Sequence, residues 1–86
     1  MDKRKSDDLM IKNNALMLAK LRYQRRTIYR SMADYRADIR ATQMHYLQGA
    51  ISEGHKTYRI ATSRRWLDHY RAMLVNTSRG IAALSR

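Results

Sequence analysis

The chain has 86 residues, enough for one domain at most, and with no Cys and no Phe its core depends on aliphatic residues, Tyr and one Trp. Lys and Arg number 18 against 7 Asp and Glu, so the formal net charge of +11 predicts attraction to nucleic acid, to an anionic membrane or to an acidic protein surface. The absence of Pro, together with abundant Ala, Arg, Leu, Met and Lys, predicts an all-α fold.

The N-terminus is predicted to carry a short basic tail followed by a helix start. Residues 1–5 are mostly charged, and we expect them to be flexible. Ser6 is a suitable N-cap, after which Asp7 and Asp8 would place negative charge in the first helical turn. This acidic pair stands where a secretory signal would have its apolar core. We therefore expect residues 6–86 to form one helical domain that is cytoplasmic, or virion-associated if viral, and not secreted.

One long amphipathic helix is predicted over residues 7–53. At ~100° per residue its apolar side chains fall within roughly 60° of one another. They are Met10, Met17, Leu21, Ile28, Met32, Tyr35, Ile39, Tyr46 and Ala50. Gly54 is expected to end the helix in a left-handed conformation, with a turn at 54–55. A break at 27–31 would give a three-helix bundle instead, but the stripe keeps its phase through that segment.

A shorter antiparallel helix is predicted over residues 56–75, which makes the fold a helical hairpin. Its apolar face comprises Ile60, Ser63, Leu67, Tyr70 and Leu74, widened by Trp66 and Met73. Residues 76–86 are predicted as a turn, around Asn76 to Gly80, with one final turn of helix. The first helix would extend ~35 Å beyond the second at ~1.5 Å per residue. We therefore expect a homo-oligomer or a larger complex to complete the fold, through the apolar stripe of the first helix and through Trp66, Leu67, Tyr70 and Leu74.

The sequence does not indicate an enzyme. It has no Cys nucleophile, no Gly-rich phosphate loop, no paired-carboxylate cluster and no His spacing typical of zinc ligands. Asp34 and Asp38 share a helix face and are interpreted as ion-pair partners of nearby arginines such as Arg30. We predict no catalytic residue, no metal, no cofactor and no small-molecule substrate. No apolar run approaches the ~20 residues that a membrane-spanning helix needs.

Arginines are segregated on the predicted first helix. Their mean direction lies about 100° from the apolar stripe on a helix of ~3.6 residues per turn, and Asp34 and Asp38 fall on the far side. Arginine binds phosphate through a two-pronged fork. The predicted nucleic-acid contacts are Arg22, Arg25, Arg26, Arg30, Arg36, Arg40, Arg64 and Arg65. The pattern favours a nucleic-acid-associated protein, for DNA or RNA, with little sequence specificity.

Two other functions are compatible with the sequence. The first is a helical protein-interaction module, such as an inhibitor, adaptor or assembly component, that docks on an acidic protein surface through Arg and Tyr. The second is a helix-turn-helix in which Ala50, Gly54 and Ile60 take the characteristic positions and residues 55–65 form the recognition helix. Ser63 at an apolar position and the length of the preceding helix disfavour it.

Overall fold

The computed structural model describes residues 3–85, with side chains from Asp7 onwards. In this part of the chain there are two helices, α1 (Lys3–Leu47) and α2 (Glu53–Leu84), joined by a short loop. They pack along one another as an antiparallel hairpin with extents of 71 × 17 × 15 Å. The predicted all-α helical hairpin is confirmed.

The interface between α1 and α2, called the seam below, follows a heptad spacing in both helices. One series of buried or partly buried positions, flanked by others such as Asp38 and Met73, recurs alternately three and four residues apart. In α1 they are Leu18, Leu21, Arg25, Ile28, Met32, Tyr35, Ile39, Thr42 and Tyr46. In α2 they are Lys56, Ile60, Ser63, Leu67, Tyr70, Leu74, Thr77, Ile81 and Leu84. This spacing keeps one face of each helix against its partner when the pair supercoils.

Contacts at both ends of the hairpin fix the register of the two helices. Near the loop, Lys56 Nζ lies 3.8 Å from the ring centroid of Tyr46. At the other end, a Cβ on Gly80 would lie 3.1 Å from Leu21 Cδ1. Continuing this register places Leu84 opposite Leu18. The α1 residues before Leu18 therefore extend beyond α2 by ~22 Å, and not by ~35 Å as predicted, because α2 is longer than expected.

Polar residues share the core with apolar ones. Where the structure describes side chains, the buried apolar ones are those of Ile28, Met32 and Leu67, and Thr42, Ser63 and Thr77 are buried as well. The Ser63 hydroxyl donates to Asp38 Oδ2 at 2.8 Å, and Thr42 Oγ1 donates to the Asp38 carbonyl oxygen at 2.7 Å. Among the described residues, no buried side-chain nitrogen or oxygen lacks a hydrogen-bond partner. Hydrogen bonding removes most of the cost of burying hydroxyl groups at seam positions.

Both ends of α1 differ from the prediction. The helix begins at Lys3, so residues 3–5 are helical and Ser6 lies within α1 and is not its N-cap; residues 1–2 of the predicted tail lie outside the described residues. It ends at Leu47, and Gly49, with φ +75°, has the left-handed conformation that was predicted for Gly54. Gly54 instead lies in the first turn of α2, where the Ser52 hydroxyl accepts from His55 N–H at 3.1 Å. The loop thus comes before Ser52 because this serine supplies a favourable N-cap.

The predicted turn at residues 76–80 and the predicted helix end at 75 are wrong. α2 continues to Leu84, and residue 86 lies outside the described residues. Leu74, Thr77 and Ile81 keep the seam spacing, so packing against α1 outweighs the weak helix propensities of Asn, Thr, Ser and Gly. The alternative break at 27–31 is also absent, since α1 is continuous and Thr27 Oγ1 donates to the Tyr23 carbonyl oxygen within it.

The predicted apolar stripe of α1 only partly matches the seam. Met10 and Met17 are 62% and 55% exposed because α2 does not reach them, and Ala50 lies in the loop. The prediction omitted three seam positions: Leu18, Arg25 and Thr42. Two of these are polar, so a search for apolar periodicity could not detect them. The helix-turn-helix alternative is not supported, since residues 55–65 pack antiparallel along α1 and not at the steep angle of that motif.

Candidate functional site

Exposed arginines from both helices lie on one side of the hairpin. Arg22 and Arg36 each follow a seam residue of α1, and Arg64 and Arg71 each follow a seam residue of α2. In an antiparallel pair, positions that follow equivalent seam residues lie on the same side. Arg26 lies four residues after Arg22, and Arg40 lies four residues after Arg36, so the two arginines of each pair are neighbours on the surface of α1. We call this set the arginine face: Arg22, Arg26, Arg36, Arg40, Arg64 and Arg71.

A cleft of about 320 Å³ lies at the middle of the arginine face. Its lining residues are Arg36, Ile39, Arg64, Leu67, Asp68 and Arg71. Asp68 Oδ1 is 3.3 Å from Arg71 Nη1, and in the described part of the chain neither Arg36 nor Arg64 has an ion-pair partner. Three guanidinium groups and one carboxylate therefore leave the cleft with an excess of positive charge over a partly apolar floor.

The arginine face is long compared with a single small anion. Arg22 and Arg40 are separated by ~27 Å along α1 at ~1.5 Å per residue. This length corresponds to about eight steps of ~3.4 Å along one strand of a duplex. Each of its arginines is exposed, so their guanidinium groups are accessible to an extended anionic ligand.

Three predicted contact residues lie elsewhere, and one member of the face was missed. Arg25 is partly buried in the seam, and Arg30 and Arg65 are exposed on surfaces that turn away from the cleft. Arg71 is exposed on the face and was not among the predicted nucleic-acid contacts. Its distance of seven residues from Arg64 places both side chains on the same face, and this spacing was available in the sequence.

The opposite side of the hairpin carries balanced charge. Asp38 is two residues from Arg36 and so points ~200° away from it around α1. Its Oδ1 is 2.8 Å from Arg59 Nη2, and its Oδ2 accepts from the Ser63 hydroxyl. The predicted ion pairing of Asp38 thus occurs across the seam, with an arginine 21 residues away. In the described residues Asp34 forms no ion pair with Arg30.

An aromatic cluster lies at the edge of the seam on that opposite side. The rings of Tyr35 and Trp66 are stacked with centroids 6.1 Å apart, and Tyr70 is 5.9 Å from Tyr35. His69 packs edge-on against Trp66 at 5.7 Å. Trp66 is 45% exposed, so it forms the rim of the seam and not its centre. Because Trp66 and Arg64 lie on different sides of α2, they do not form a joint clamp for a phosphate and a base.

Comparisons with family models, with curated proteins and with solved structures found no match. Over the described residues, neither helix has an apolar stretch long enough to cross a membrane. In the same part of the chain, no three His, Cys, Asp or Glu side chains come together as metal ligands would.

Proposed function

We propose that this chain is a small, basic, helical protein that binds the phosphate backbone of nucleic acid with little sequence specificity. The convergence of Arg36, Arg64 and Arg71 on one cleft with a single carboxylate is the observation that carries the proposal. Guanidinium groups make paired hydrogen bonds to phosphate oxygens. Contacts of this kind position a protein on nucleic acid without reading its bases.

The extent of the arginine face and the distribution of acids add support. Arg22, Arg26 and Arg40 continue the line of positive charge on both sides of the cleft, as a polymer of phosphates requires. Asp38 lies on the other side of the hairpin, where Arg59 and Ser63 satisfy it. Asp68 is therefore the carboxylate that lines the cleft and faces a ligand bound there.

Two triple variants of equal charge test the proposal. The first, Arg22→Gln, Arg36→Gln and Arg64→Gln, removes three arginines of the face; all three are exposed, and Gln maintains helix propensity. Binding to a fluorescently labelled duplex and to a single strand is measured by anisotropy across a salt series. We expect a loss of at least ~10-fold in affinity, and a salt slope that is less steep by up to about 2.7 for duplex DNA, at ~0.9 per lost phosphate contact.

The matched control is Arg30→Gln, Arg65→Gln and Arg79→Gln, which lowers the net charge equally at exposed positions outside the face. It should retain most of the affinity and most of the salt slope. Equal losses in the two triple variants would contradict a defined phosphate-binding face. Failure of the unaltered chain to bind either nucleic acid at low salt would favour the other candidate function, docking on an acidic protein.

A further inference from the structure

The side of the hairpin opposite the arginine face carries a strip with almost no charge. It runs along the seam edge from the exposed Met10 and Met17 of α1 to the aromatic cluster of α2. Its members are Met10, Met17, Leu21, Trp66, Met73 and Gly80. Near the loop it ends at Asp38 and Arg59, which neutralise each other. We call this surface the neutral strip.

The charge of the molecule limits what can cover the neutral strip. The chain carries a net charge of +11, so two copies that met through their arginine faces would repel each other strongly. The neutral strip is the side on which two copies can approach without that repulsion. It also continues the established seam, since Leu21, Gly80 and Met73 already contact or flank the opposing helix.

Two exposed charges at the rim of the strip are complementary in one arrangement. Lys20 and Asp34 lie on the same edge of α1, fourteen residues apart, and their midpoint is close to the middle of this helix. If a second hairpin lies antiparallel on the strip, Lys20 of each copy faces Asp34 of the other, so the ion pair forms twice. The same arrangement places Trp66 near Ala83 of the second copy, where an exposed small side chain leaves space for its ring.

We propose that two copies of this chain pack through their neutral strips as an antiparallel four-helix dimer, which carries its arginine faces outwards on opposite sides. With the Lys20–Asp34 pairing the hairpins overlap over nearly their full length. The neutral strips then meet between Leu21 and Asp34, and Met10 and Met17 of each copy lie at or beyond the Asp38 end of the other strip. The projected face of the hairpin, 71 × 17 Å or about 1,200 Å², is the upper limit of what one copy can bury, and the ~800 Å² per partner of a standard stable interface lies below that limit. On the proposed function, which this step assumes, such a dimer bridges two segments of nucleic acid.

Charge reversal tests the dimer without altering the seam. Lys20 and Asp34 are both exposed, so Lys20→Glu and the swap Lys20→Glu with Asp34→Lys should leave the hairpin folded, as circular dichroism checks. Sedimentation over a dilution series measures association of the full chain. Lys20→Glu should weaken the dimer by at least ~10-fold, because it places two acids face to face at two positions. The swap should restore the dimer to within about threefold of the unaltered chain.

The expected direction separates this proposal from a general charge effect. Lys20→Glu lowers the net charge of each copy, so general repulsion predicts stronger association, while the proposed pairing predicts weaker association. The single tryptophan supplies a second measurement, because Trp66 emission should shift to shorter wavelength as the dimer forms. A monomer mass at every concentration, or a Lys20→Glu variant that dimerises as tightly as the unaltered chain, would overturn the proposal.

Bridging is tested by capture of a labelled duplex on an immobilised one. The unaltered chain and the swap should capture the second duplex, whereas Lys20→Glu should bind the first duplex and fail to capture the second. A dimer that binds no nucleic acid would overturn both bridging and the proposed function and leave the dimer standing. A dimer that binds one duplex without capturing another would overturn bridging alone.

Discussion

At the residue scale, Asp38 connects the two helices through two hydrogen bonds to its carboxylate. Its carboxylate accepts from Arg59 and from the buried Ser63 hydroxyl, and its carbonyl oxygen accepts from the buried Thr42 hydroxyl. A serine at a seam position would otherwise leave a hydroxyl without a partner in the core. The aspartate therefore specifies which residues of α1 and α2 face each other, in the way that single polar seam residues set register in coiled coils.

Replacement of Asp38 by Ala should lower the free energy of unfolding by about 1–2 kcal/mol, because the Ser63 hydroxyl then loses its partner in the core. Urea unfolding followed by circular dichroism at low protein concentration measures the change. Asp68→Ala is the control: it removes an exposed carboxylate from an ion pair within one helix, and it should cost less than about 0.5 kcal/mol. Similar losses in the two variants would contradict the role of Asp38 in the seam.

At the element scale, the loop and the start of α2 depend on two residues. Gly49 has φ +75°, a conformation that L side chains adopt at a cost, and Ser52 accepts the hydrogen bond that caps α2. Gly54, which was expected to be the left-handed residue, is helical, and a Cβ on it would meet no other group within 4 Å. The sequence indicates a turn with a left-handed glycine in this region. It does not decide between Gly49 and Gly54, which are five residues apart.

The two glycines should respond in opposite directions to substitution by Ala. Gly49→Ala should destabilise the hairpin by about 1 kcal/mol or more, because a side chain strains the left-handed conformation. Gly54→Ala should stabilise it by up to about 1 kcal/mol, because Ala is the better helix former and has room. Melting temperatures measured by circular dichroism give both signs. A stabilising Gly49→Ala would show that the loop lies elsewhere.

At the scale of the whole molecule, the hairpin has two parts with different numbers of tertiary contacts. From Leu18 to Tyr46, α1 packs against α2, while its earlier residues extend beyond α2 and leave Leu9, Met10 and Ile11 more than half exposed. An isolated helix of that length has little stability in water without packing. Over residues 7–85, meanwhile, the buried apolar core is limited to Ile28, Met32 and Leu67.

Hydrogen exchange should distinguish these two parts. In dilute solution, where single hairpins predominate, backbone amides of residues 7–16 should exchange orders of magnitude faster than those of residues 28–39. The helix can unfold locally over residues 7–16 while the seam between α1 and α2 stays packed. Mass spectrometry of peptic fragments measures both segments in one experiment. Protection of residues 7–16 should increase with protein concentration if the dimer forms. Equal exchange in the two segments at high dilution would show that the hairpin opens as one unit.

The sequence by itself determined the helical class, the hairpin, the antiparallel pairing and the segregation of arginines from acids. These depend on local propensity and on periodicity, which neighbouring residues along one helix determine. Only the tertiary structure decided the length of α2, the polar seam positions and the cleft of Arg36, Arg64 and Arg71. The physical reason is register: which residues of two helices meet depends on interactions between distant segments, such as Asp38 with Ser63, and no pattern within either helix encodes them.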